Sequence, residues 1–259
     1  MLRYCLIGAI ALQCAGFATA STSFNYTGSN VSPSASSITE TLGGITATAT
    51  GVWANVNNSG ATVTGTGNTF GVAANGSAAW LAEYQSDGLG VCNPNEQSGC
   101  PAPQHQIDNL NGIDFVNFSF STAVTLSDVN VVGFGNPTGV NGSYNDVDLS
   151  YAILTSAQET SLLAGTLVFS TVNFTTFNTN FFGYNDYSLS GTGQYVLIGA
   201  AVTPYYGDSS ASQATPDAFK IQYLDVTAAP EPASFILIGS GLMVGALFGR
   251  RRTRNKTNS

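Results

Sequence analysis

The chain has 259 residues, with seven Lys and Arg against fifteen Asp and Glu, for a formal net charge of −8. The basic residues sit at the two ends: Arg3 at one, and Arg250, Arg251, Arg252, Arg254 and Lys256 at the other, which leaves Lys220 alone between Ser21 and Ala229. That central stretch carries every acid except Glu231, so it has no cationic footprint to displace counterions from phosphate, and nucleic-acid binding is excluded. Anionic lipid headgroups are excluded as partners of this stretch for the same reason. Most of the 15 Phe and 11 Tyr are spread along it with many Val and Ile, which disordered chains lack, so it reads as folded.

In chain order, Met1–Ala20 comes first. One positive charge, an apolar run from Tyr4 to about Ala15 and the small residues Ala18-Thr19-Ala20 make a secretory signal peptide with cleavage between Ala20 and Ser21. The apolar run is short for a membrane span. Cleavage removes Cys5 and Cys14, leaving Cys92 and Cys100 in the polar, Gly- and Pro-rich segment GVCNPNEQSGCPAP. In an oxidising compartment two thiols so placed are expected to pair. Closing so short a loop stabilises a fold by about 2.5 kcal/mol in the chain-entropy treatment. The rival reading, a metal site, lacks ligands, because His105 is the only histidine and no CxxC is present.

Residues 21–229 read as one all-β domain. Period-two alternation recurs in ITATATGVWA, IDFVNFSF, VDLSYAIL, YVLIGAAV and AFKIQYLDV. In IDFVNFSF it puts Val116, Phe118 and Phe120 on one face and Asn117 and Ser119 on the other. In AFKIQYLDV it sets Phe219, Ile221 and Tyr223 against Lys220 and Gln222. Asn75-Gly76, Asn111-Gly112 and Asn141-Gly142 favour the tight turns that join antiparallel strands. No long stretch outside the two ends carries helical periodicity. The expected architecture is an antiparallel β-sandwich, jelly-roll or immunoglobulin-like.

The chemistry is sparse. His105 and Asp108 lie three residues apart without a GxSxG or other nucleophile context, so no catalytic residue is assigned and the chain is not expected to be an enzyme. Asp146 and Asp148 are candidate calcium ligands, since calcium takes hard oxygens from loops, but no D-x-D-x-D-G loop accompanies them; no other metal or cofactor is expected. Trp53, Trp80, Tyr205 and Tyr206 could stack on sugar rings if exposed, although tryptophan more often packs in a core.

The end of the chain is the most specific part. Pro230-Glu231-Pro232 cannot continue a helix and holds the chain extended. An uncharged segment follows from about residue 233 to Gly249. As a helix it spans about 22–26 Å, a short crossing of a hydrocarbon core of about 30 Å. Arg250, Arg251 and Arg252 then mark a cytoplasmic side, with residues 253–259 as a cytoplasmic tail. This order resembles the PEP-CTERM sorting signal of Gram-negative bacteria, over residues 230–252. The resemblance implies processing by an exosortase, transient residence in the inner membrane, and delivery to the cell surface or outside the cell. SDGLGVCNPNEQSGC followed by HQIDNLNGIDFVNFSF also looks like a block of exosortase-dependent surface proteins, through Gly88–Val91, His105, Ile107, Asp108, Asn109, Asp114 and Phe120, with YNDVDLSY as its acidic strand. Two readings of the body stand. One is a structural protein of the surface or extracellular polymeric substance. The other is a carbohydrate-binding module, calcium-dependent if Asp146 and Asp148 hold the ion, with extracellular polysaccharide as its partner.

Overall fold

In a computed structural model of the chain, the described residues are 20–28, 31–54, 69–72, 80–84, 87–93, 106–109, 112–133, 147–177, 184–202 and 217–229. The chain divides into two units, Ala20–Ala229 and Met1–Thr19 with Pro230–Ser259. The second unit lies outside the described residues. So do the expected membrane helix and most of the signal peptide. Among the described residues no helix is long and apolar enough to cross a membrane.

The body is antiparallel β. Its strands are β1 (Ser21–Asn25), β2 (Val31–Ala35), β3 (Ser37–Leu42), β4 (Ile45–Ala54), β5 (Phe70–Val72), β6 (Trp80–Tyr84), β7 (Gly88–Cys92), β8 (Ile107–Asp108), β9 (Ile113–Gly133), β10 (Leu149–Leu154), β11 (Thr175–Phe177), β12 (Tyr184–Ser188), β13 (Thr192–Ala200) and β14 (Ala218–Ala228). They form one hydrogen-bonded sheet of 14 strands. Two separately bonded layers, as a jelly roll or immunoglobulin domain would have, are not what the hydrogen bonding shows.

The reason is β9. Its 21 residues fall in two halves, bridged by β13, whose Thr192 and Gly193 pair with Thr125 and Val124 of the second half. Ile113–Phe120 pairs with β4, and Phe115–Ser119 of that stretch also pairs with β13. Val124–Gly133 pairs with β14, and Asp128–Val132 also with β12. Between the halves Ser121, Thr122 and Ala123 are exposed. The chain folds over at this corner, so the sheet packs against itself. Phe24 of β1 meets Phe120 at 6.0 Å and Tyr26 meets Phe118 at 5.9 Å between ring centroids. Each buried ring contributes roughly 1.5–3 kcal/mol by removal from water.

Alternation in β4 is legible as written: Ile45, Ala47 and Ala49 are buried and the threonines between them half-buried. β9 departs from expectation. Asn117 is buried to 1 % exposure because its face is covered by α1 (Ser156–Leu163) and a single 3-10 turn at Phe169–Thr171. Asn117 Nδ2 donates to Glu159 Oε1 at 2.9 Å. Burial raises the Glu159 carboxyl above the usual carboxylate range, and the Asn117 bond opposes that. On the same face Phe115 stacks on Phe174 at 5.3 Å and packs near Phe70 and Phe169. The helix is too short to show a period, but Thr155 and Gln158 close a capping box at its start.

β14 also departs from expectation. Lys220 and Gln222 do not face water, being 0 % and 5 % exposed. The strand lies inside the sheet, with β9 on one edge and β1, β7 and β8 along the other. The register slips between Ile221 and Tyr223. The extra residue, Gln222, flips the pleat. Phe219 and Ile221 point into the core before it, and Leu224 and Val226 after it, so Tyr223 loses the core position that simple alternation assigned it. Of the three Asn-Gly turns only Gly112 is described; it links β8 to β9 at φ 139. The two-residue hairpin lies elsewhere, at Gly43-Gly44 between β3 and β4 (φ 59 and 80).

The registers define two poles. Ser21 sits opposite Thr227, Ala228 opposite Val124, and the β3–β4 turn closes beside Phe120; this is the terminal pole. At the distal pole lie the end of β4, the start of β9, the end of β13 and the starts of β8, β10 and β14.

Candidate functional site

Two regions carry the residues singled out by sequence. The first is a buried polar cluster at the distal pole. Asn93, Asp108, Asn109 and Asp114 are no more than 1 % exposed, and Asp148 and Asp217 are 7 % exposed. Asn93 Nδ2 donates to Asp114 Oδ1 at 3.0 Å, and Gln106 Nε2 to Asp108 Oδ2 at 2.9 Å. Asn109 Nδ2 donates to Asp217 Oδ2 at 2.6 Å, while the Asp217 backbone N–H donates back to Asn109 Oδ1 at 3.0 Å. Asp148 contributes its carbonyl, which accepts from the Ala201 N–H at 3.2 Å. Each of Asp108, Asp114 and Asp217 thus meets an amide donor, the arrangement that makes burial of an ionised oxygen tolerable.

These bonds tie the end of β7 to β9, and the segment after β8 to the start of β14. Of the residues that sequence grouped as one block, Asp108, Asn109 and Asp114 meet in this fastening of strand ends, Gly88–Val91 lie in β7, which leads into Asn93, and Phe120 does not join it, pairing with Ala47 towards the β3–β4 turn. His105, at the centre of that block, lies outside the described residues. So does Asp146. Among the described residues no group of three or more His, Cys, Asp and Glu is placed to hold a metal ion.

Lys220 stands near this pole. Its Nζ is 3.6 Å from Asp87 Oδ2, with Lys220 fully buried and Asp87 39 % exposed. Burial lowers the ammonium pKa to about 8, and Asp87 partly offsets it. The folded state thus gives up its proton near pH 8 while the unfolded chain keeps it to about 10.5. Between those values the unfolded chain binds more protons, so folding stability rises with pH; below about 8 the cost of the buried charge is fully present. Lys220→Met is expected to stabilise the body at pH 7 by about 1–3 kcal/mol and to flatten this rise. Urea unfolding of both proteins from pH 7 to pH 10 checks it; an unchanged slope in the variant would refute it.

The same pole carries both tryptophans. Trp53 pairs in register with Asp114, and Trp80 with Cys92; each is half-buried. The Trp53 ring lies over Gly71, leaving no room there for a side chain. Tyr205 and Tyr206 lie outside the described residues. Cys92 is buried at the end of β7, and Cys100 lies outside the described residues.

The second region is the terminal pole. Ala20 is exposed and Ser21 opens β1. β14 runs to Ala228, and the Ala229 N–H donates to the Ala123 carbonyl at 3.0 Å. Ala18 and the sorting residues Pro230, Glu231, Pro232, Arg250, Arg251 and Arg252 lie outside the described residues.

The molecule is thus an all-β body whose last strand runs directly into a separate C-terminal signal. The family model of the PEP-CTERM protein-sorting motif matches residues 228–252, so the chain carries that motif. It implies export, sorting at a membrane, and an exosortase as processing partner. No curated protein and no solved structure matches the chain.

Proposed function

We propose that the chain is a precursor whose 21–229 body is delivered by exosortase processing to the surface or extracellular polymeric substance of a Gram-negative bacterium, where it serves as a structural protein. The carrying observation is the join between body and signal. The matched motif begins at Ala228, the last residue of β14, so what is delivered is the β body itself. The acidic, nearly Lys- and Arg-free composition suits a solvated place outside the cell. A Cys92–Cys100 bridge belongs to this reading. Alkylation of native envelope protein without reductant should leave both cysteines unlabelled; quantitative labelling would dismiss the bridge.

A second reading, carbohydrate binding, is favoured by Trp53 and Trp80. Both are half-buried at the distal pole, so each keeps ring surface for stacking. Calcium at Asp146 and Asp148 would belong to it. A glycan array probed with purified 21–229, with and without calcium, separates the two. Saturable binding to a defined glycan, lost in Trp53→Ala, supports the module; a blank array with folded protein supports the structural role.

A further inference from the structure

The sorting motif leaves the body without a spacer. Ala229 is still hydrogen-bonded to the β9 corner through Ala123, and Pro230-Glu231-Pro232 follows at once. At about 3.5 Å per extended residue, the tripeptide ends within about 10 Å of that bond. An enzyme gripping it must therefore meet the terminal pole.

That pole is one patch. Ser21 faces Thr227 across the β1–β14 ladder. The β3–β4 turn comes down beside β1, where a Cβ on Gly43 would lie 2.7 Å from Thr22 Oγ1. The Thr46 N–H donates to Ser121 Oγ at 3.0 Å, joining the turn to the corner. Ser21, Thr22, Leu42, Gly43, Gly44, Ser121, Thr122, Ala123 and Ala228 carry no ionisable side chain in a body of fourteen acids. The nearest acid along β3, Glu40, is partly buried and its carboxyl pKa is raised by burial. At the tip Leu42 is 49 % exposed. An acidic body is repelled by anionic lipid and by acidic protein, and a pole with no acidic side chain, one apolar tip and the α-ammonium left on Ser21 by signal-peptide cleavage is the end that tolerates close approach.

We propose that this pole, centred on Leu42 and Ser121–Ala123, is the surface on which the processing exosortase seats the folded body. The proposal rests on the exosortase reading above. The test expresses the full precursor in a host with the enzyme and follows conversion of precursor to mature form. Leu42→Asp and Thr122→Asp, both at exposed positions, are expected to slow conversion several-fold. Tyr184→Asp (exposed, at the distal end of β12) and Leu163→Asp (exposed, at the end of α1) are expected not to. A short Gly-Ser spacer between Ala229 and Pro230 should restore conversion of the Leu42→Asp protein by moving the body clear. Normal conversion of both pole variants, or equal slowing by the Tyr184 and Leu163 changes, would overturn the proposal. Failure of the exosortase reading shows differently: the wild-type precursor would then convert equally well without the enzyme.

Discussion

Replacing Pro230, Glu231 and Pro232 together by alanine should abolish the size shift from precursor to mature protein and leave the chain in the inner membrane. The matched motif spans residues 228–252, and its parts have separable physical tasks. On the proposed reading, the prolines keep the backbone from joining a helix and leave it extended for a protease. On the same reading, the uncharged run that follows supplies hydropathy for insertion, and the arginines set its orientation. The alanine variant changes only the first part, so insertion persists and processing stops. Replacing Arg250, Arg251 and Arg252 by Asn instead removes the cytoplasmic bias and weakens retention. Immunoblotting of fractionated cells reads both variants. A triple-alanine chain that still matures and reaches the surface would make the segment a plain anchor.

Much of the body was legible because alternation survives wherever one face of a strand meets the core. Ile45, Ala47 and Ala49 illustrate this. Legibility failed where a second layer covers the other face. Asn117 reads as solvent-facing, yet α1 lies over it, and nothing in the polar SAQETSLL stretch announces a packing helix beyond the Thr155–Gln158 capping pair. Lys220 failed for a related reason: a strand buried on both faces still tolerates one long cation if its charge is offset by Asp87 and partly relieved by a lowered pKa. The bulge at Gln222 is invisible to any pattern that assumes a constant period. The candidate site divides in the same way. The sorting motif is written contiguously and can be read from order alone. In the distal cluster Asn93, Asp108, Asn109 and Asp114 lie within one stretch of the sequence, but Asp217 is far from them and only the pairing of β14 with β8 brings it to Asn109.

The largest effect on the body itself is expected at Gly88, through Gly88→Ala. Two costs coincide there. Its φ of 106 is a conformation that L side chains rarely adopt, and strain of that kind costs on the order of 1–3 kcal/mol. An added Cβ would also run into the Ile221 carbonyl, with its carbon 2.7 Å away. That obstacle is backbone of the central strand at the Gln222 bulge, so it cannot swing aside. Gly199 separates the second cost from the first: an added Cβ there meets the Asp114 carbonyl and the Phe115 ring, whose Cγ is 2.7 Å away. Gly44 separates the first from the second, having φ 80 and open space around it. The expected order of destabilisation is therefore Gly88→Ala, then Gly199→Ala, then Gly44→Ala. The last should cost about 1 kcal/mol and the first about 3–5 kcal/mol, a large part of the roughly 5–15 kcal/mol that holds a domain together. Thermal unfolding of purified 21–229 reads the series. A Gly88→Ala protein as stable as Gly44→Ala would mean that β7 does not press on β14 at the bulge, and the fastening of the distal pole to the central strand would have to be drawn differently.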